Sequence, residues 1–432
     1  MRQRTGPGGK LARVAVGAIA AVALAGAWPA AGGALPAARA GAARQIEFWT
    51  ISLSPFFDNE MRQLASEFEA SHPGVQVKWT DVPIQAIQQK LLSAIAAGTA
   101  PDVVNLNSDT AVQLYQQGAL LDLGKYAPKQ AWSVYFPRAL ATFKDGDVIY
   151  GAPWYWAPKV MAYNVEIFRK AGLDPERPPT TVEGMIEAAK RIKDKTGLYG
   201  FMPNINGVNF LFVFQEAGLP VLDENGSRAL FNSPEHVKLV EQYADLFKQD
   251  YIPEDTMRRG YLGATELYTA GRLGMLLTGP QFLIRVQKDN PAIYESTRAA
   301  AYPLDKGRVI HTPLMGFSVP VNTRNKELAV EFALFATDDA HQLAFAKASN
   351  TFPSTIKAAR DSFFTKGGPT AADQARVADA AQLQYAQDLT VHVPNASKLF
   401  KAFKDNVEAA FFGGKPVKQA LDEIVRIWNA EL

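Results

Sequence analysis

The chain has 432 residues, with 45 Lys and Arg against 43 Asp and Glu, five His and no Cys. The missing cysteine excludes disulfides, thiolate metal sites and a lipid anchor on cysteine. The near-balanced charge excludes the strongly basic footprint that nucleic-acid binding requires.

Arg2, Arg4, Lys10 and Arg13 open the chain without an acid, Val14–Ala27 is apolar, and Ala38-Arg39-Ala40 follows. A basic head, a short apolar run and small residues at the −3 and −1 positions read as a secretory signal peptide over residues 1–40. The run is shorter than the roughly 20 apolar residues of a membrane span. The Ala-, Gly- and Pro-rich stretch to Ala43 offers other cleavage points. Without the five basic residues of this segment, 40 Lys and Arg face 43 Asp and Glu, a net charge near −3. The mature chain is expected to be exported, soluble and outside the inner membrane. About 390 residues is more than one core usually serves, so two domains are expected.

The mature part begins with a strand at Ile46–Ile51 and a helix whose inward face is Phe57, Met61, Leu64, Ala65 and Phe68. Val75–Trp79 alternates as a strand. Ile84, Ile87, Leu91, Leu92 and Ile95 mark a helix ended by Gly98. Asp102–Leu106 is a strand and Thr110–Gly118 a helix. Strands alternating with helices predict parallel βαβ units, hence an α/β fold. Ligands of such sheets bind beyond the carboxyl ends of the strands, which points to Thr50–Ser54 and Asn107–Asp109.

Val148–Pro153 and Lys159–Tyr163 read as strands around Trp154-Tyr155-Trp156. A helix over Thr181–Lys195 is capped by Thr180 or Thr181. Asn225-Gly226 between Leu219–Leu222 and Arg228–Phe231 predicts a hairpin. Helices over Pro234–Gln249 and Leu262–Thr269 precede a strand at Leu273–Leu277. Lys366–Thr370 is a loop. Val417, Leu421, Ile424, Val425 and Trp428 give the last helix one apolar face.

Catalytic signatures are scarce. The five His residues are scattered, H-E-x-x-H and G-x-S-x-G do not occur, and Gly413-Gly414-Lys415 lacks the rest of a phosphate loop. A carboxylate pair for glycoside hydrolysis leaves no local signature and stays open.

Ala96–Asp102 (AAGTAPD) with Val103-Val104 resembles a signature of the periplasmic solute-binding proteins of carbohydrate ABC transporters. Gly118–Leu123, Tyr150–Pro153, Tyr163-Asn164, Phe168–Leu173 and Pro178–Val182 follow the same pattern, with Val182 in place of a usual Trp. Gly274-Met275, Thr278-Gly279-Pro280, and Asn325–Ala329 with Phe332 continue it. The order and spacing of these motifs cover nearly the whole mature chain, which is similar to the maltose-binding-protein-like family. The resemblance implies a two-lobe periplasmic-binding-protein (Venus-flytrap) fold, with a multi-strand hinge and ligand in the cleft. It implies crossings near residues 154–156, 317–319 and 352–355. One lobe would be 44–153 plus 319–353, the other 157–316 plus 356–432. It also implies no enzyme activity, no cofactor and no metal, a monomer, and delivery of a carbohydrate ligand to ABC-transporter permease subunits.

Sugars present apolar C–H faces and a rim of hydroxyls, so their sites need aromatic platforms and planar polar groups. The candidates from the first lobe are Ser52, Ser54, Gln88, Gln89, Asn107, Ser108 and Asp109. Asp109 matches a position where the family often has a sugar-binding acid; it could also cap the following helix. Trp154, Tyr155 and Trp156 supply aromatics, but alternation along a strand keeps them from all facing one side. From the second lobe come Asn206, Asn209, Phe210, Tyr261, Gly279, Gln281 and Phe400, with Gly316 and Phe317 near a crossing. Gln281 and Phe400 each stand where relatives carry Trp, leaving fewer stacking surfaces than a maltodextrin site uses. Trp49, Trp79 and Trp428 are assigned to packing. The same fold could instead hold a polyol or a glycerol-phosphate solute. It could also report ligand to a chemosensor. An exported carbohydrate-active enzyme is the alternative of another class; it needs two acids facing each other across the cleft.

Overall fold

The computed structural model describes residues 44–157 and 159–432, so the signal segment expected over 1–40 lies outside them. Nine strands build the two main sheets: β1 Arg44–Ile51, β2 Val75–Val82, β3 Val103–Asn107, β4 Ala152–Trp156, β5 Val160–Asn164, β6 Met275–Thr278, β7 Thr297–Ala301, β8 Leu314–Ser318 and β9 Phe352–Pro353.

The first sheet runs β2-β1-β3-β8-β4-β9. β2 and β3 flank β1 in parallel, as strand–helix alternation predicts, whereas β8 is antiparallel to both β3 and β4. Helices Asp58–Ser71 and Lys326–Ala336 cover it. The Phe332 ring lies 4.8 Å from Phe48 and 5.0 Å from Phe68, tying both helices to the strand between them. One core serves this lobe and draws on residues 46–156 and 314–364. Burial on this scale, at about 25 cal/mol per Å² of apolar surface, is what holds distant segments together.

The pairing of β4 with β8 shifts register between Met315 and Gly316, so Tyr155 faces Met315 while Pro153 faces Gly316. Trp154 is the extra residue of a β-bulge, and a bulge re-aims side chains. Trp154 and Tyr155, neighbours in sequence, therefore both reach Phe345, at 4.5 and 5.3 Å. Strict alternation does not allow this.

The second sheet is antiparallel, with β5 between β6 and β7, so the parallel strand pairing read from residues 46–118 is confined to the first lobe. Helix Val182–Thr196 packs beside it, with the Thr181 hydroxyl accepting from the Gly184 N–H at 3.1 Å. Most of this lobe is helical, and its cores are separate clusters. Trp428 is fully buried in one of them and donates its indole N–H to Leu399 O at 3.1 Å. The predicted hairpin shrinks to a single bridge, Leu222 with Ala229, because Asp223 closes the turn by accepting from Ser227 and Arg228. Ile84 precedes its helix and is exposed.

Strand pairing locates the connections between the two sheets. Trp154–Trp156 are still strand, and the chain leaves the first sheet only at Ala157. The second return is complete by Leu314, since all of β8 pairs in the first sheet; Phe317 is interior to that sheet. Ala157 donates to Pro313 O at 2.9 Å, so these two connectors run side by side. The third falls within Lys366–Thr370, because Phe364 belongs to the first core and Ala371 to the second lobe.

Candidate ligand site between the lobes

The two lobes meet along a seam with two chemically different ends. At the first, β3 feeds helix Ser108–Gln116. Asn107 caps it by accepting from the Thr110 N–H at 2.9 Å, so the cap role considered for Asp109 falls to Asn107. Asp109, in the first turn, is free to cross the seam and meets the hydroxyl of Thr390. Asp388 Oδ1 accepts from that same hydroxyl at 2.6 Å and from the Thr390 N–H at 3.0 Å. Withdrawal from water, then the neighbouring Asp388, push the Asp109 carboxyl up to about 6, against the opposing effects of Thr390 and Lys159.

A cavity of about 60 Å³ lies here, lined by Asp109, Gln113, Phe212, Thr390, His392 and Phe400. Gln88 reaches the same helix, donating to Gln113 Oε1 at 3.1 Å. The loop carrying Asp388 and Thr390 is fixed from behind. Ile310-His311 pairs with Ala386-Gln387, and His311 Nδ1 accepts from the Leu389 N–H at 3.2 Å. Burial holds the His311 imidazole well below its usual range, so it is neutral and able to accept. Its ring stacks on Phe212 at 3.7 Å. Glu216 accepts from the His311 N–H at 2.8 Å and the Tyr302 hydroxyl at 2.9 Å, with Lys159 Nζ 3.6 Å away.

At the other end, helix Pro280–Asp289 presents Arg285. Its guanidinium donates to Ser52 O at 2.6 Å and lies 4.8 Å above the Phe56 ring, with Lys288 Nζ 5.0 Å from the same ring. Ser52 follows β1 in the left-handed region, φ 50°, and its hydroxyl accepts from the Ile84 N–H. Ile284 of the same helix packs on the first lobe's core. Gln281 lies one turn before Arg285 and folds over Gly279, where a Cβ would meet its amide at 2.1 Å; the Gln281 Oε1 is buried without a partner. An amide patch adjoins. Asn209 donates to Asn204 and Asn206, and Tyr261 takes Asn204 Oδ1 on its N–H while its hydroxyl bonds Thr278 Oγ1 at 2.6 Å.

Several candidates lie elsewhere. Trp154 and Phe317 are core, with ring centroids 4.7 Å apart. Tyr155 sits with them on Phe345, and Trp156 is buried beneath the Arg138 guanidinium. Phe210 packs on Phe214, Tyr243 and Phe411 because it faces into the helical core. Gly316 is glycine because a Cβ would strike the Phe143 ring at 2.5 Å, a packing demand rather than an approach to ligand. Ser108 is buried, while Ser54 and Gln89 are exposed without lining the cavity. Sequence reasoning missed Asp388, Thr390, Phe212, His392 and Arg285. Only Arg285 had a usable signal: Pro280 at the first position of a helix, with Leu283 and Val286 at helical spacing.

The model of the bacterial extracellular solute-binding protein family matches residues 57–343. The diacetylchitobiose binding protein DasA of Streptomyces coelicolor is 25% identical over 308 residues, 68% of this chain and 70% of that one. The sn-glycerol-3-phosphate-binding periplasmic protein UgpB of Pectobacterium atrosepticum is 28% identical over 239 residues, 50% of this chain and 52% of that one. A solved structure from Synechococcus sp. MITs9220, described as an oligosaccharide periplasmic-binding protein, superposes with a TM-score of 0.80 at 29% identity. That match covers 89% of this chain and 98% of the other. The chain belongs to the bacterial extracellular solute-binding protein family, and its fold is the two-lobe α/β fold of periplasmic binding proteins.

Proposed function

We propose that this member of the solute-binding family is an exported receptor. It captures a mono- or oligosaccharide at the seam and delivers it to the permease subunits of an ABC importer. The observation that carries this reading is the composition of the Asp109 end. The Asp109 carboxylate, a glutamine amide and the rings of Phe212 and Phe400 line one cavity, and the Asp388 carboxylate of the other lobe meets Asp109 at the Thr390 hydroxyl beside it. Acceptors that clamp hydroxyls, with rings for C–H faces, are what a neutral sugar needs. Two neighbouring carboxylates repel an anion. The receptor is read as a monomer in the periplasm or an equivalent extracytoplasmic space. Among the described residues no helix is long and apolar enough to cross a membrane.

The receptor leaves its ligand chemically unchanged. The seam does carry two acids, Asp109 and Asp388, which meets the first requirement for a glycoside hydrolase. Both, however, are engaged by one Thr390 hydroxyl, whereas hydrolysis needs two acids free to flank the glycosidic bond. A glycerol-phosphate solute is the second reading; Arg285 at the opposite end favours it, since guanidinium recognises phosphate.

Thermal unfolding against maltose, N,N′-diacetylchitobiose, polyols and sn-glycerol 3-phosphate tests all three readings. A ligand of the folded state at one hundred times its Kd adds about 2.7 kcal/mol of stability. A shift with a sugar and no product on incubation is expected. A shift with the phosphate alone replaces the sugar reading, and product formation replaces the receptor reading.

A further inference from the structure

The Thr390 hydroxyl can donate one proton and accept through two lone pairs. Asp109 of the first lobe and Oδ1 of Asp388 in the second both lie within hydrogen-bond reach of it. The hydroxyl can serve only one of them. The other contact is attractive when that carboxyl is protonated and donates to Thr390 Oγ1. Asp388 Oδ1 already accepts from the Thr390 backbone N–H, so the atom that meets the hydroxyl is committed as an acceptor. The donating acid is therefore Asp109. We propose that closing of the lobes takes up one proton, carried by Asp109 and shared through Thr390 with Asp388. The inference does not depend on which solute the cleft holds.

The surroundings agree. Asp109 faces Asp388, Thr390 and Lys159; Lys159 also lies beside Glu216. Tyr150 faces Asp388 from the stretch before β4, and its phenol is held well above its usual range by burial. His392, from the same loop as Thr390, faces Asp388 and Asp145; burial lowers its pKa, so it stays neutral near pH 7. Asp145 accepts from the Tyr115 hydroxyl at 3.0 Å. His311 behind the loop is neutral as well.

The direction follows from linkage. A water-exposed aspartate titrates near 3.9, and in the closed seam Asp109 titrates at about 6. The closed form binds more protons between those values. Closing is therefore favoured as pH falls through about 6, is fully favoured near and below 4, and loses this contribution as pH rises above 6.

Because the chain has no cysteine, dyes can be placed solely at Gln63→Cys in the first lobe and Lys401→Cys in the second, both exposed positions. Energy transfer is then read without any solute. The closing equilibrium is expected to rise by about tenfold between pH 7.5 and 5.0, and to be flat in Asp109→Asn. Should Asp109→Asn fail to fold, Asp388→Asn carries the test: with the neighbouring charge gone, the midpoint moves to lower pH. A parent whose transfer is equal at both pH values overturns the proposal. So does an Asp109→Asn protein that keeps the full response, or an Asp388→Asn protein with an unmoved midpoint. With no sugar present, failure of the sugar reading leaves this test intact.

Discussion

The two ends of the seam join the same lobes by opposite chemistry. At the Asp109 end, two acids and a hydroxyl meet around a cavity, and the contact changes with protonation. At the Arg285 end a cation reaches a backbone carbonyl and lies over a ring. On the proposed reading, a solute that offers hydroxyls gains at the first end, and one that offers an anion gains at the second. Both ends bear on the closing of the lobes, the first through a proton and the second through a fixed cation.

The largest expected effect falls on neither end but on the frame that both share. Trp154→Ala should lower unfolding stability by about 3–5 kcal/mol in denaturant titration, because the ring is fully buried against Phe317 and Phe345. Phe400→Ala should cost far less stability while still weakening ligand binding, since this half-buried ring lines the cavity. Equal stability losses would mean the two aromatics do the same job.

Next come the ends themselves. By calorimetry with the sugar that binds, Asp109→Ala should cost about 1.5–3 kcal/mol of affinity, the range for a hydrogen bond to a charged group. Arg285→Gln should cost about 1 kcal/mol, acting on closure alone. With a glycerol-phosphate ligand the order inverts, which would reassign the site. The smallest effect is a control: Gln89→Ala, exposed and off the cavity, should leave Kd within about twofold, as surface changes do.

Much of the first lobe was legible in the sequence, since each of its elements is locally consistent. Phe57, Met61, Leu64, Ala65 and Phe68 share one helical face, and all are buried. Of the two threonines offered as cap, Thr181 is the one that caps the helix. Asp109 was nominated, and it stands at the seam. Other features depend on pairs that meet only in the folded chain. The bulge at Trp154 arises from how β8 pairs, and no residue of β4 announces it. Asp388 and Thr390 sit in a loop with no periodicity, positioned by His311 some eighty residues away in sequence. Gly316 invited a ligand role, but the reason for it, the Phe143 ring, lies far off along the chain.

The place of β8 has a consequence for biosynthesis. It lies in the middle of the first sheet, between β3 and β4, yet its residues are 314–318. A nascent chain that has emerged only to residue 313 has β3 and β4 with facing, unpaired edges. Such edges can pair with other chains, and contacts this distant in sequence form slowly. The first lobe, although it comes off the ribosome first, cannot be finished before most of the second has been made.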